Sequence, residues 1–253
     1  MQSNPSRRDV FGALLKVSAG AALFPLVNCA SDSAVDATTP DAGDLGSCST
    51  IPEETAGPFP GDGTNGKNAL TLDGIVRQDI RSSIGASGVA TGVPLTVTLA
   101  LVDAATCELA NHAVYIWHCD RDGNYSMYSA AIAGENYLRG VQVSDAEGRV
   151  TFTTVFPGCY DGRWPHIHFE VYATLADTTS GRNAVATSQL ALPKSTCETV
   201  YATAGYASSA SNLTRTSIAS DNVFGDDDGV FQVPAISGSV AGFDAQLVVA
   251  VTG

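Results

Sequence analysis

The chain has 253 residues with 26 acidic and 13 basic side chains, a formal charge of −13. Such a Lys/Arg-poor chain repels phosphate, which excludes nucleic-acid binding and a polybasic membrane contact. Hydrophobic residues at 44% suffice for a core, so the chain is not disordered, while 25 glycines and 11 prolines spread along it disfavour a coiled coil or helical bundle.

Residues 1–28 read as an address rather than as structure. Arg7 and Arg8 precede an apolar run, Val10 to Val27, that is short and Gly/Ala-rich for a membrane span. The arginine pair followed by Phe11 resembles a twin-arginine export signal, with an ordinary secretory signal as the alternative. Leu26-Val27-Asn28-Cys29 resembles a lipobox with Cys29 as the lipidated residue, although Asn28 departs from the small residue usual there. Residues 29–47 are Ser, Ala, Asp, Thr, Pro and Gly almost throughout and predict a flexible acidic tether. The expected location is therefore outside the cytoplasm: periplasmic, extracellular, or attached to the envelope through a lipid on Cys29 and by no other membrane contact. Six cysteines suit an oxidising compartment. With Cys29 lipidated, five remain, so one thiol is left over or Cys29 is not lipidated.

From Cys48 onward the apolar pattern has period two. Leu95–Val102, Ala113–His118, Arg149–Val155, His166–Ala173, Val185–Leu192 and Gln246–Thr252 are predicted strands, rich in Val, Ile, Thr, Phe and Tyr. Gly/Asp/Asn turns separate them, including Asp120–Asn124, Asp145–Gly148 and Pro157-Gly158. Short strands without helical alternation predict an antiparallel β-sandwich with long loops and little helix over residues 48–253. Ser195–Asp228 is predicted to be a long loop with one short helix.

All four histidines lie between residues 112 and 168. His166 and His168, at i and i+2 of a strand, project to one face, with Ile167 and Phe169 turned to the other. A neutral imidazole pair suits a cation, although His-x-His alone more often marks an exposed polar strand face. Two tyrosines end neighbouring turns, Tyr125 after Asp120–Asn124 and Tyr160 after Pro157–Cys159. A phenol of ordinary pKa near 10 is a poor anion, but a trivalent cation displaces its proton. Two tyrosinates and two imidazoles around Fe(III) leave a net charge of +1, whereas zinc favours His, Cys or carboxylate, and calcium favours oxygen alone. His112 and His118 read as structural. Asp120–Asn124 reads as a turn presenting Tyr125, and Asp226–Gly229 as a solvated loop. Trp164 either shapes a pocket or simply packs.

Three stretches together, Trp117-His118-Cys119-Asp120-x-x-Gly123-x-Tyr125, Tyr137-Leu138-Arg139-Gly140-x-Gln142, and Phe156-Pro157-Gly158-x-Tyr160-x-x-Arg163-x-x-His166-x-His168-Phe169, resemble the intradiol ring-cleavage dioxygenases. The form is similar to the secreted, single-domain relatives of protocatechuate 3,4-dioxygenase. Pro52-Glu53-x-Thr55-x-Gly57-Pro58-Phe59 resembles the family segment at the active-site mouth, which marks Thr55, Gly57, Pro58 and Phe59 as substrate-pocket candidates. The resemblance covers roughly residues 48–195 and is poor beyond Cys197. It implies Fe(III) held by Tyr125, Tyr160, His166 and His168, with Tyr160 and Arg163 catalytic: Tyr160 released to take a substrate proton, Arg163 stabilising negative charge. The implied reaction cleaves a small aromatic diol with O₂ between its hydroxyl-bearing carbons, giving a cis,cis-muconate-type diacid. Asp161 departs from the Pro common in relatives, and Cys159 adjoins Tyr160, where a disulfide or redox sensitivity is conceivable. The alternative is an exported β-sandwich binding module that keeps the metal site without efficient turnover. A helical dimerisation segment is not visible, so a monomer or weak homodimer is expected.

Overall fold

The computed structural model describes residues 49–252. The export signal, Cys29, the tether and Cys48 lie outside them. Eight strands form two four-stranded sheets. The first sheet has the order β4-β1-β8-β7, where β1 is Pro94–Asp103, β4 Arg149–Val155, β7 Ala235–Ser239 and β8 Gly242–Val251. The second has the order β3-β2-β5-β6, where β2 is Ala113–Trp117, β3 Arg139–Val143, β5 His166–Tyr172 and β6 Ala186–Ala191. The sandwich is as expected, with one departure: β1 and β8 pair in parallel, Leu95 opposite Phe243 through Asp103 opposite Val251, while the other named ladders are antiparallel. Strand β8 arrives only after a long excursion, so hairpin logic does not dictate its direction.

The alternation in β1 buries Leu95, Val97, Leu99 and Leu101 against Phe152 of β4, Val114 and Ile116 of β2, and Ile167, Phe169 and Val171 of β5. Burying side chains of this size contributes about 1.5–3 kcal/mol each. The outer face of the second sheet is covered too. Tyr115, Trp117 and Tyr172 pack there with Ala69, Leu70 and Ile75 of the N-terminal segment. Strand β5 is consequently buried at every residue, and its polar outer-face side chains lie inside the protein.

Two strands carry no alternating signal in the sequence. Strand β3 contains the buried Arg139, and β7 is the short, largely exposed Ala-Ile-Ser-Gly-Ser at a sheet edge. The guanidinium of Arg139 donates to the carbonyls of Phe59 (2.9 Å), Pro60 and Ser126 (3.0 Å), fastening the N-terminal segment over the sheet. The region expected to be a loop with one helix holds two, α1 Lys194–Tyr201 and α2 Ala207–Leu213, and a 3-10 turn at Ile218–Ser220. Among the described residues no helix is long and apolar enough to cross a membrane. Cys107 is disulfide-bonded, whereas Cys119, Cys159 and Cys197 are free and buried.

Candidate metal centre

His166 and His168 leave β5 on its outer face. Their Nε2 atoms stand 3.1 Å apart. Tyr125 Oη lies 3.3 Å and Tyr160 Oη 3.2 Å from His166 Nε2, and the two phenol oxygens are 3.5 Å apart. Donors bound to one first-row cation at about 2.1 Å are separated by about 3.0–3.5 Å, so this spacing fits a single ion. No group of three or more His, Cys, Asp or Glu among the described residues is placed to hold a metal. The donors that do converge are the His₂Tyr₂ set, which suits a hard trivalent ion better than zinc.

Local sequence explains how the loops deliver the phenols. Asp120 Oδ1 accepts from Asp122 N at 3.0 Å and Asn124 N at 2.9 Å, closing the turn that presents Tyr125. Gly123 sits at φ +85°, and a Cβ there would meet the Cβ of Tyr160 at 3.0 Å. Gly158 lies against the Arg121 carbonyl, 2.5 Å from where a Cβ would stand. The two tyrosine-bearing loops therefore pack backbone against backbone, which side chains at 123 and 158 would prevent.

The imidazoles are oriented in different ways. His166 Nδ1 donates to the Trp164 carbonyl at 2.5 Å, which leaves Nε2 with its lone pair facing the other donors. Among the described residues His168 Nδ1 has no hydrogen-bond partner, and its ring stacks on Trp117 at 4.8 Å and 6°. Burial lowers His166 to about 3, with Arg163 adding to the effect. Burial also holds His168 well below its ordinary value, with His166 contributing. Both rings are neutral at physiological pH. Burial pushes Tyr160 up to about 12 and Tyr125 well above 10. Without a cation the site is thus an assembly of uncharged groups. A bound cation reverses that preference for the phenols.

Arg163 stands beside this cluster, its Nη2 donating to Gln189 Oε1 at 2.7 Å and its Nε to Asp221 Oδ2 at 2.9 Å. Gln189 Nε2 in turn donates to the carbonyl of Thr55 at 2.8 Å. Gly57, at φ +70°, lies where a Cβ would be 3.4 Å from His168 Cε1. The ring of Phe59 packs 5.0 Å from that of Tyr125. Of the pocket candidates, Gly57 and Phe59 touch the donor set, and Thr55 is tied through Gln189 to Arg163. Pro58 is exposed, and its carbonyl accepts from Asn65. Asp161 faces solvent and pairs with Arg215 at 2.9 Å, away from the donors. Cys159 is a free thiol. His118 bonds Cys119 O and Thr154 Oγ1, both at 2.7 Å, and stands apart from the four donors as a structural group. A groove of about 420 Å³ between α1 and α2, lined by Lys194, Tyr201, Leu213 and Thr216, contains none of the donors.

Gln189, Asp221 and Phe224 have no motif that flags them. Gln189 could be found only from the register that sets it opposite His168, and the other two lie in the stretch that reads as loop.

Comparison with known proteins agrees with this geometry. The family model Dioxygenase_C, described as Dioxygenase, matches residues 76–179, a stretch holding Tyr125, Tyr160, Arg163, His166 and His168. An intradiol ring-cleavage dioxygenase from Tetranychus urticae is 28% identical, with a TM-score of 0.63 over 81% of this chain and 95% of that one. The dioxygenase domain of a dioxygenase carbohydrate-binding protein fusion from the cellulolytic bacterium Streptomyces sp. SirexAA-E shares the fold at 21% identity, with a TM-score of 0.51 over 81% of this chain and 99% of that one. In topology, and in sequence across its central strands, the chain is similar to the intradiol ring-cleavage dioxygenases.

Proposed function

We propose that this protein is a ferric dioxygenase that cleaves catechol-type rings between the hydroxyl-bearing carbons with O₂, yielding cis,cis-muconate-type diacids. The observation that carries this reading is the convergence of Tyr125 Oη, Tyr160 Oη and His168 Nε2 on His166 Nε2 at 3.1–3.3 Å, with the two phenol oxygens 3.5 Å apart. The similarity to intradiol dioxygenases supports it, since that family typically uses Fe(III). When bound, the ferric ion supplies the charge that ionises the phenols and readies a bound catecholate for O₂.

The chain's own groups divide the remaining work. Tyr125 is 2% exposed, whereas Tyr160 is only half-buried. Tyr160 is therefore the donor with room to withdraw. Once withdrawn, its phenolate, with the proton affinity burial gives it, takes a catechol proton at Oη. Arg163 holds its charge beside the ring and opposes developing negative charge through preorganised donors. Gly57 leaves space at His168, and Phe59 closes the side next to Tyr125. Export, a tether over residues 29–47, lipidation at Cys29 and a monomeric or weakly dimeric state belong to the same proposal and rest on sequence alone.

Oxygen uptake with a panel of catechols, with product analysis, tests the reading. Stoichiometric O₂ consumption with a ring-opened diacid is expected. A ferric-loaded protein that binds catechols and consumes no O₂ would mean a binding module instead.

A further inference from the structure

The stretch matched by the family model ends at residue 179, yet a wall of the site comes from beyond it. The loop of residues 217–225 folds on itself: Asp221 N donates to Ser217 O at 3.0 Å, and Gly225 N to Asp221 O at 2.9 Å. Its carboxylate is fully buried and accepts four N–H groups. Oδ1 takes Val223 N (2.9 Å) and Phe224 N (3.3 Å) from its own loop. Oδ2 takes Arg163 Nε (2.9 Å) and Trp164 N (2.6 Å) from the segment leading into β5. Burial alone raises a carboxyl pKa, but the bonds from Arg163 and Trp164 outweigh it and keep Asp221 below 3.8.

Both residues gripped by Oδ2 bear on the candidate site. The Trp164 carbonyl is the acceptor that orients His166 through Nδ1. Arg163 has Nε on Asp221 and Nη2 on Gln189, and its Nη1 makes no hydrogen bond among the described residues. The guanidinium is thereby pinned by two edges with one nitrogen left to donate. Phe224, next along the loop, lies under the Arg163 guanidinium at 5.9 Å and 6.5 Å from the His166 ring.

We propose that Asp221 is a positioning residue of the site, its single buried carboxylate fixing both the guanidinium of Arg163 and the Trp164 peptide that aims His166. The inference rests on the functional reading above and assigns the C-terminal loop a part in it. Removing the carboxylate frees Arg163 to swing and loosens the His166 tautomer lock. Orienting partners of metal-bound histidines typically contribute about 10–100-fold in metal affinity or activity.

Two measurements on the full chain test this. In the first, wild type, D221N and D221A compete with nitrilotriacetate for ferric ion, and thermal melting of each shows that it is folded. D221A should hold ferric ion about 10–100-fold more weakly, with D221N between, since Asn keeps one acceptor oxygen. Unchanged affinity in folded D221A overturns the role at His166. The second is a double-mutant cycle on kcat/KM for catechol with R163A. With ferric ion saturating in every variant, so that the His166 route drops out, D221N should cost about tenfold alone and less than about twofold in the R163A background, because the remaining loss acts through that arginine. Equal losses in both backgrounds would show a merely structural residue and overturn the role at Arg163. If wild type cleaves no catechol, the dioxygenase reading fails, and the ferric-affinity series alone decides for or against Asp221.

Discussion

The donor set is drawn from two regions built on different principles. His166 and His168 sit on β5, which is laddered on both sides and buried on both faces. Their separation is fixed by strand geometry, and a rotation of either ring requires moving Trp117 or the Trp164 peptide. Tyr125 and Tyr160 sit on turns whose shape depends on one carboxylate, Asp120, and on two glycines too crowded for a Cβ. The strand half provides rigid neutral donors. The loop half provides donors that must ionise, one of which has room to move. The proposed function, binding a diol while holding a cation, would need both properties, and the two kinds of backbone divide them.

Breaking the strand half should have the largest effect. H166A or H168A should empty the site of iron, and catechol turnover should fall by about 10³-fold or more; elemental analysis alongside oxygen uptake checks both. The loop half should be graded. Y160F should lower kcat by about 10²–10⁴-fold, the range of a lost general base, while retaining more iron than Y125F. Equal iron loss in the two phenylalanine variants would remove the distinction between a fixed and a releasable phenol.

Smaller effects test the backbone supports. G158A places a Cβ 2.5 Å from the Arg121 carbonyl and should cost about 1–3 kcal/mol in urea unfolding. The strand half offers a pH test at Glu170, behind His168 on the same face. Burial raises its carboxyl to about 8, while its bond from Tyr172 Oη (2.5 Å) works in the opposite direction and Asp62 adds repulsion. A folded value above the unfolded value of about 4.5 makes its contribution to stability complete below about pH 4.5 and lost as pH rises towards 8. E170Q mimics the protonated acid. It should flatten this decline and exceed wild type by at least about 1 kcal/mol at pH 8, measured by denaturant titration across pH 5–8.

Much of this is legible in the sequence. The i, i+2 histidines, the period-two strands and the two Tyr-ending turns are local signals, which strand and turn geometry convert directly into side-chain placement. What was illegible is non-local. The parallel pairing of β1 with β8 depends on where a strand returns after a long excursion. Gln189 matters only through its register with His168, and Asp221 only because the 217–225 loop folds back onto residues 163 and 164. Arg139 disguised β3, since a buried guanidinium reads as exposed until the carbonyls of residues 59 and 60 are known to meet it. Asp161 shows the reverse case: adjacent to Tyr160 in sequence, it points to solvent.

The central claim is that Tyr125 and Tyr160 are both ionised on one ferric ion. The most direct test is the visible spectrum of the ferric-loaded protein before and after anaerobic addition of catechol. A broad tyrosinate-to-iron band is predicted, shifting when catechol binds and weakened in both Y125F and Y160F. A ferric-loaded protein with no visible band, or a band unaffected by either substitution, would contradict the account.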